Sequence, residues 1–159
     1  MIASTKESPH PPPSGRMPHG GLSGLAQCAM SATPEAARTL RHFARAVAQR
    51  WRLHDDFHEA LAVIVTELVS NVVLHSGSPW VAVAIRVRGN TLTTEVRDGG
   101  SWKHRSVRRQ EPLDAHADLG HGLRLVDAFA TRTSTRRLEA GSVVAAEIVM
   151  PASSGGPPV

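Results

Sequence analysis

The stretch "WVAVAIRVRGNTLTTEVRDGG", residues 80–100, decides how the chain folds. Before it, apolar residues recur every three or four positions; within it they alternate. Val81, Val83, Ile85 and Val87 fall on one face of a first strand. Leu92, Thr94, Val96 and Asp98 fall on one face of a second, with "RGN" (88–90) as the turn between them. The second strand therefore ends in a carboxylate on its own apolar side. An ionised Asp only accepts hydrogen bonds, so burying it there is costly unless donors meet it. The ordinary alternative is that the strand stops and "DGG" makes a turn.

Working towards the N-terminus, "DDFHEALAVIVTELVSNVVLH" has Leu61, Ile64, Val65, Leu68 and Val72 in a helical stripe. Asp56 with Glu59 three later reads as a capping box for a helix over 57–75, Gly77 as its stop and Pro79 as a bar to resuming it. Ahead of this lies another helix, 34–51, with Thr33 as N-cap, Pro34 in the first turn, and Ala37, Leu40, Ala44, Val47 and Trp51 at helical spacing. "LAQCAMSA" (25–32) reads as an edge strand. Residues 1–24 and 152–159, rich in Pro, Gly and Ser, read as disordered tails around a single domain, 25–151.

Working towards the C-terminus, 101–119 has no period and mixes Gly-free polar, charged and His-containing sequence, as a functional or mobile loop does. A helix over 121–130 follows, then strands over 131–138 and 142–150 around a turn at Gly141. The order is β-α-α-β-β-loop-α-β-β, which suggests an α/β sandwich with an antiparallel or mixed sheet.

Composition excludes several function classes. One cysteine, Cys28, rules out an internal disulfide and a Cys-rich zinc site. No apolar run reads as a membrane span and no signal peptide is evident, so the expected location is cytoplasmic. The net charge of +4 raises nucleic-acid binding. Against it, the arginines are scattered apart from "RSVRR" (105–109) and Arg136–Arg137, and there is no Tyr to stack on bases. The only lysines are Lys6 and Lys103 and no GxxxxGK[ST] occurs, so a P-loop is excluded. GxSxG and HExxH are absent too. His54 and His58 have metal-ligand spacing but sit at a charged helix start, where solvated side chains are the simpler reading.

Three places remain that can carry chemistry. Glu67 and Asn71 lie four apart, on one helix face. An amide oxygen there suits a hydrated Mg²⁺ that shares phosphate oxygens, and the carboxylate suits a general base; alone, the pair is as well explained as a polar helix flank. Asp98 is suited to the exocyclic amine of adenine, with Gly99 and Gly100 admitting a flat ring. In "DLGHGLRLVDAFA" (118–130), Gly120 and Gly122 open a helix whose free N–H groups make an anion site, although a lone GxG is also an ordinary loop end.

Taken in order, these motifs resemble the ATP-binding domain shared by gyrase, heat-shock chaperones, histidine kinases and mismatch-repair proteins, the Bergerat fold. Within it the chain is most similar to the small bacterial anti-sigma factor serine kinases. "ELVSNVVLH" resembles their N-box, "VRDGG" their first glycine box and "GHGLRLV" their second. The resemblance implies an α+β, two-layer sandwich with a mixed, mainly antiparallel sheet, and ATP and Mg²⁺ as ligands. It implies that Asn71 coordinates Mg²⁺, Glu67 is the general base, Asp98 binds the adenine amine and Gly100 lets the ring pack. It places Gly120, Gly122 and Leu123 around the phosphates, Ser142 near the adenine, and 101–119 as a lid carrying Lys103, Arg105, Arg108 and Arg109. The implied activity is sequestering a sigma factor and phosphorylating a serine on its antagonist protein, often as a homodimer. A non-catalytic ATP-dependent switch and a basic DNA-binding regulator are the alternatives.

Overall fold

A computed structural model describes residues 23–101 and 120–151. The proposed lid from Trp102 onward and both tails, up to residue 22 and from 152, lie outside the described residues. The elements run β1 (Ser23–Ser31), α1 (Ala36–Arg50), α2 (Asp55–Asn71), a π-helical turn (Val72–Ser76), β2 (Trp80–Arg88), β3 (Thr91–Asp98), α3 (Gly120–Phe129), β4 (Arg132–Leu138) and β5 (Gly141–Val149). The strands form one sheet in the order β1-β2-β3-β5-β4. Every neighbouring pair is antiparallel, with no parallel pair among the described residues. Closing hairpins thus do what the sequence order implied, and β1 is an edge strand that begins two residues inside the stretch read as a tail.

Alternation in the strands becomes two faces. Val81, Val83, Ile85 and Val87 of β2 and Leu92, Thr94, Val96 and Asp98 of β3 are all buried. The apolar ones meet Leu40, Ala44 and Val47 of α1 and Leu61, Ile64, Val65 and Leu68 of α2 in one core, with Val126 of α3 completing it. The helices thus form the second layer. The continuous helical span Asp55–Ser76 is apolar and long enough, by composition, to cross a membrane, contrary to the expectation from sequence. Its stripe of Leu61, Ile64, Val65 and Leu68 is accounted for by this core.

Both helix starts differ from the sequence expectation. α1 begins at Ala36 instead of Pro34, because the Thr33 carbonyl accepts from the Ala36 N–H and closes a turn first; no side chain caps the helix. α2 begins at Asp55, two residues early, with His54 as its cap. The His54 Nδ1 accepts from the Asp56 N–H at 3.3 Å, which leaves Asp55 and Asp56 in the first turn, where the helix dipole favours negative charge. His58 Nε2 is 3.1 Å from the Leu53 carbonyl oxygen. Both histidines thus have structural bonds, and no metal-binding cluster of His, Cys, Asp or Glu occurs among the described residues.

Gly77 ends the helix as the sequence suggested, at φ +71°. A Cβ there would meet nothing within 4 Å, so only the backbone resists substitution. Gly77→Ala is expected to cost about 1 kcal/mol through the left-handed φ. The measurement is the urea midpoint, which falls at unchanged m; Gly77→Asn, tolerant of that conformation, should lose less.

Candidate functional site

The site grows from the end of β3. Asp98 pairs with Val81 on one side and Ser142 on the other, so strand parity turns its carboxylate toward the helices. It is 1% exposed. Its donors include the Gly100 N–H at 2.8 Å on one oxygen and the Ser142 hydroxyl at 2.7 Å on the other. A buried carboxylate on an apolar face is tolerable only with such donors, which are charge-assisted and strong. The turn alternative is therefore half right: the strand does stop at Asp98, and the glycines after it feed an N–H back to the acid. Gly100, read with Asp98 in the sequence, and Ser142, placed near the adenine by the resemblance, are both in direct contact with Asp98.

Two backbone approaches fix this corner. A Cβ at Gly100 would overlap the Ser76 carbonyl, and one at Gly141 would overlap the Asp98 carbonyl. Gly141, at φ +108°, also occupies a backbone conformation that glycine favours. It had been read only as a turn. The site consequently has β5 packed on one side and the 76–78 segment on the other.

That segment leads back to the second group. Asn71 is the last residue of α2 and Glu67 lies one turn earlier; both are half-buried. After Asn71 the helix widens into the π turn before Gly77, and Ser76 and Ser78 then touch the Asp98–Gly100 corner. Such π turns recur at functional sites because they re-aim a helix end. The polar pair on α2 and the acid on β3 are thereby joined by one short piece of chain. Ser76 and Ser78 were missed in the sequence, where "HSGSPW" looked only like a helix stop. Their signal was small hydroxyl residues flanking a helix-ending glycine.

The third group opens α3. Gly120 is its first residue and Gly122 its third, so the N–H groups of 120–123 lack intrahelical partners. α3 packs beside α2, with Val126 in the core. The Leu123 side chain packs partly against that core, so its backbone is the part suited to binding an anion. The basic residues assigned to the lid, Lys103, Arg105, Arg108 and Arg109, are outside the described residues.

The model of the histidine kinase-like ATPase domain matches residues 30–148. No curated protein matches the chain. Among solved structures, the chain is similar to the crystal structure of the RsbU and RsbW domains of Rv1364c from Mycobacterium tuberculosis. The TM-score is 0.62 at 19% identity, covering 81% of this chain. The chain spans 34% of that structure, and the likeness is one of fold.

Ser142→Ala removes a donor from a buried carboxylate. The expected loss is about 1–3 kcal/mol, read as a lower thermal midpoint with a cooperative transition retained.

Proposed function

The chain belongs to the histidine kinase-like ATPase family, and we propose that it is an ATP- and Mg²⁺-dependent protein serine kinase of the anti-sigma type. In this reading it sequesters a sigma factor and phosphorylates the antagonist that competes for it, in the cytoplasm. The observation that carries the reading is the buried corner in which Gly100 and Ser142 hold Asp98 beside backbone only glycine can supply. An ionised carboxylate only accepts hydrogen bonds, and the exocyclic amine of adenine is a donor of the kind it takes.

The residues fit Mg²⁺ only in company with a nucleotide. Among the described residues no three His, Cys, Asp or Glu form a metal cluster. Asn71 alone offers a neutral oxygen at the end of α2. Mg²⁺ accepts such a site because it keeps waters and takes its other ligands from phosphates. When bound, it would neutralise charge on the phosphates during transfer.

The chain's own groups do the rest. The first-turn N–H groups of α3 bind phosphate oxygens and add the positive end of the helix dipole. Glu67, one helical turn from Asn71, takes the proton of the incoming serine hydroxyl. The serine oxygen bonds to the γ-phosphorus as the bond from that phosphorus to the bridging oxygen breaks, and ADP leaves with that electron pair. Positioning and charge stabilisation supply most of the rate in such transfers.

Asn71→Ala is expected to abolish Mg-ATP binding in calorimetry; unchanged affinity would remove Asn71 from the site. Glu67→Gln separates binding from chemistry. It should keep ATP affinity within about twofold while losing about 10²–10⁴-fold in phosphoserine formation on the antagonist protein. Equal transfer by wild type and Glu67→Gln would contradict the base assignment.

A further inference from the structure

Four side-chain hydrogen bonds meet at two serines in the short segment between α2 and β2. The Ser78 hydroxyl accepts from the Gly99 N–H at 3.0 Å and the Trp80 N–H at 3.2 Å, and donates to the Trp80 carbonyl at 2.6 Å. A hydroxyl has one proton and two lone pairs, so its capacity is filled. The Ser76 hydroxyl in turn accepts from the Ser78 N–H at 3.0 Å. Both serines are buried, at 1% and 8% exposure. Next along, the Pro79 carbonyl accepts from the Ala32 N–H of the β1 end at 3.0 Å. Of the four serine bonds, the Gly99 bond crosses between distant parts of the chain and the other three hold Ser78 in place to make it.

That one bond lands between Asp98 and Gly100. Gly99 has the Trp80 indole against one side, so a Cβ there would lie 2.8 Å from its Nε1. The Gly100 N–H, next along, is a donor to Asp98. Moving Gly99 therefore moves both the carboxylate and a donor that holds it. The geometry points to Ser78 as a positioning residue for nucleobase recognition: its hydroxyl fixes the Asp98–Gly100 corner to the end of the helix that carries Asn71. The base-recognising corner is thereby held by a side chain that itself stands outside the proposed base contact. This rests on the reading of Asp98 as the adenine contact.

A residue that merely stabilised the fold would weaken all nucleotides together. Ser78 should act on the base alone. The test compares ATP with ITP, which carries a carbonyl where adenine has its amine, by calorimetry with Mg²⁺ on the full chain. Wild type should prefer ATP. Ser78→Ala should bind ATP about three- to tenfold more weakly, the worth of one hydrogen bond, with ITP affinity unchanged, so the preference collapses. Ser78→Thr, which keeps the hydroxyl, should restore it. Thermal melting without nucleotide establishes that each variant folds. Should Ser78→Ala not fold, Ser78→Cys, a weak acceptor of similar size, is compared with Ser78→Thr in the same way. An unchanged ATP-to-ITP ratio in Ser78→Ala or Ser78→Cys overturns the proposal, as does an equal loss for both nucleotides. Wild type without preference for ATP fails differently: Asp98 is then not the base contact, and the positioning role falls with it.

Discussion

The structure depends on keeping one carboxylate hydrogen-bonded on the apolar side of a sheet. Asp98 sits where the alternation of β3 demands a hydrophobic residue, as Leu92 and Val96 are. Desolvating a carboxylate costs several kcal/mol unless donors replace the lost water. The fold answers with donors that include one from the glycine pair that follows and one from the neighbouring strand. Each answer constrains something else. The turn requires that Gly100 lie against the Ser76 carbonyl, and the strand requires that Gly141 lie against the Asp98 carbonyl. The chain accepts two glycines and a buried acid at the sheet's end, where a fold selected for stability alone would place valines.

The same constraint explains why α2 ends as it does. An α-helix continuing past Asn71 in regular geometry would carry residues 72–76 in a narrower coil. Instead the turn widens through Val72–Ser76 and Gly77 reverses it at positive φ. Ser76 and Ser78 are then buried against the turn that serves Asp98. The helix that buries Leu61, Ile64 and Leu68 in the core is thus held at its end by polar contacts with the site. Core and site share one rigid element, the arrangement that keeps catalytic groups in register.

Much of this could be read from the residues, and the reasons it could are physical. Strand parity is strict, so alternation alone placed Asp98 on the buried face. The 3.6-residue period put Leu61, Ile64, Val65, Leu68 and Val72 on the core face of α2, and Gly77 signalled its end. The closing hairpin and the edge position of β1 followed from order. The helix starts were less legible because helix ends fray over one or two residues: a turn closed by the Thr33 carbonyl precedes α1, and a His54 ring nitrogen caps α2 where the sequence pointed to Asp56. The partners of Asp98 were hidden for a different reason. Ser142 lies 44 residues away and Ser78 lies 21 from Gly99. No local pattern announces such pairings; Ser142 entered through resemblance to a family, and Ser78 only through the coordinates.

The central claim is that one ligand joins three separated segments: the end of α2, the end of β3 and the start of α3. The most direct measurement is a titration of the isotopically labelled chain with Mg²⁺ and a non-hydrolysable ATP analogue, following backbone amide resonances. The account predicts saturable shifts that group at Asn71, at Gly99 and Gly100, and at 120–123, with the outer residues of β1 and β4 unmoved. Shifts confined to the open face of the sheet, or absent at Gly99 and Gly100 while the analogue binds, would contradict it.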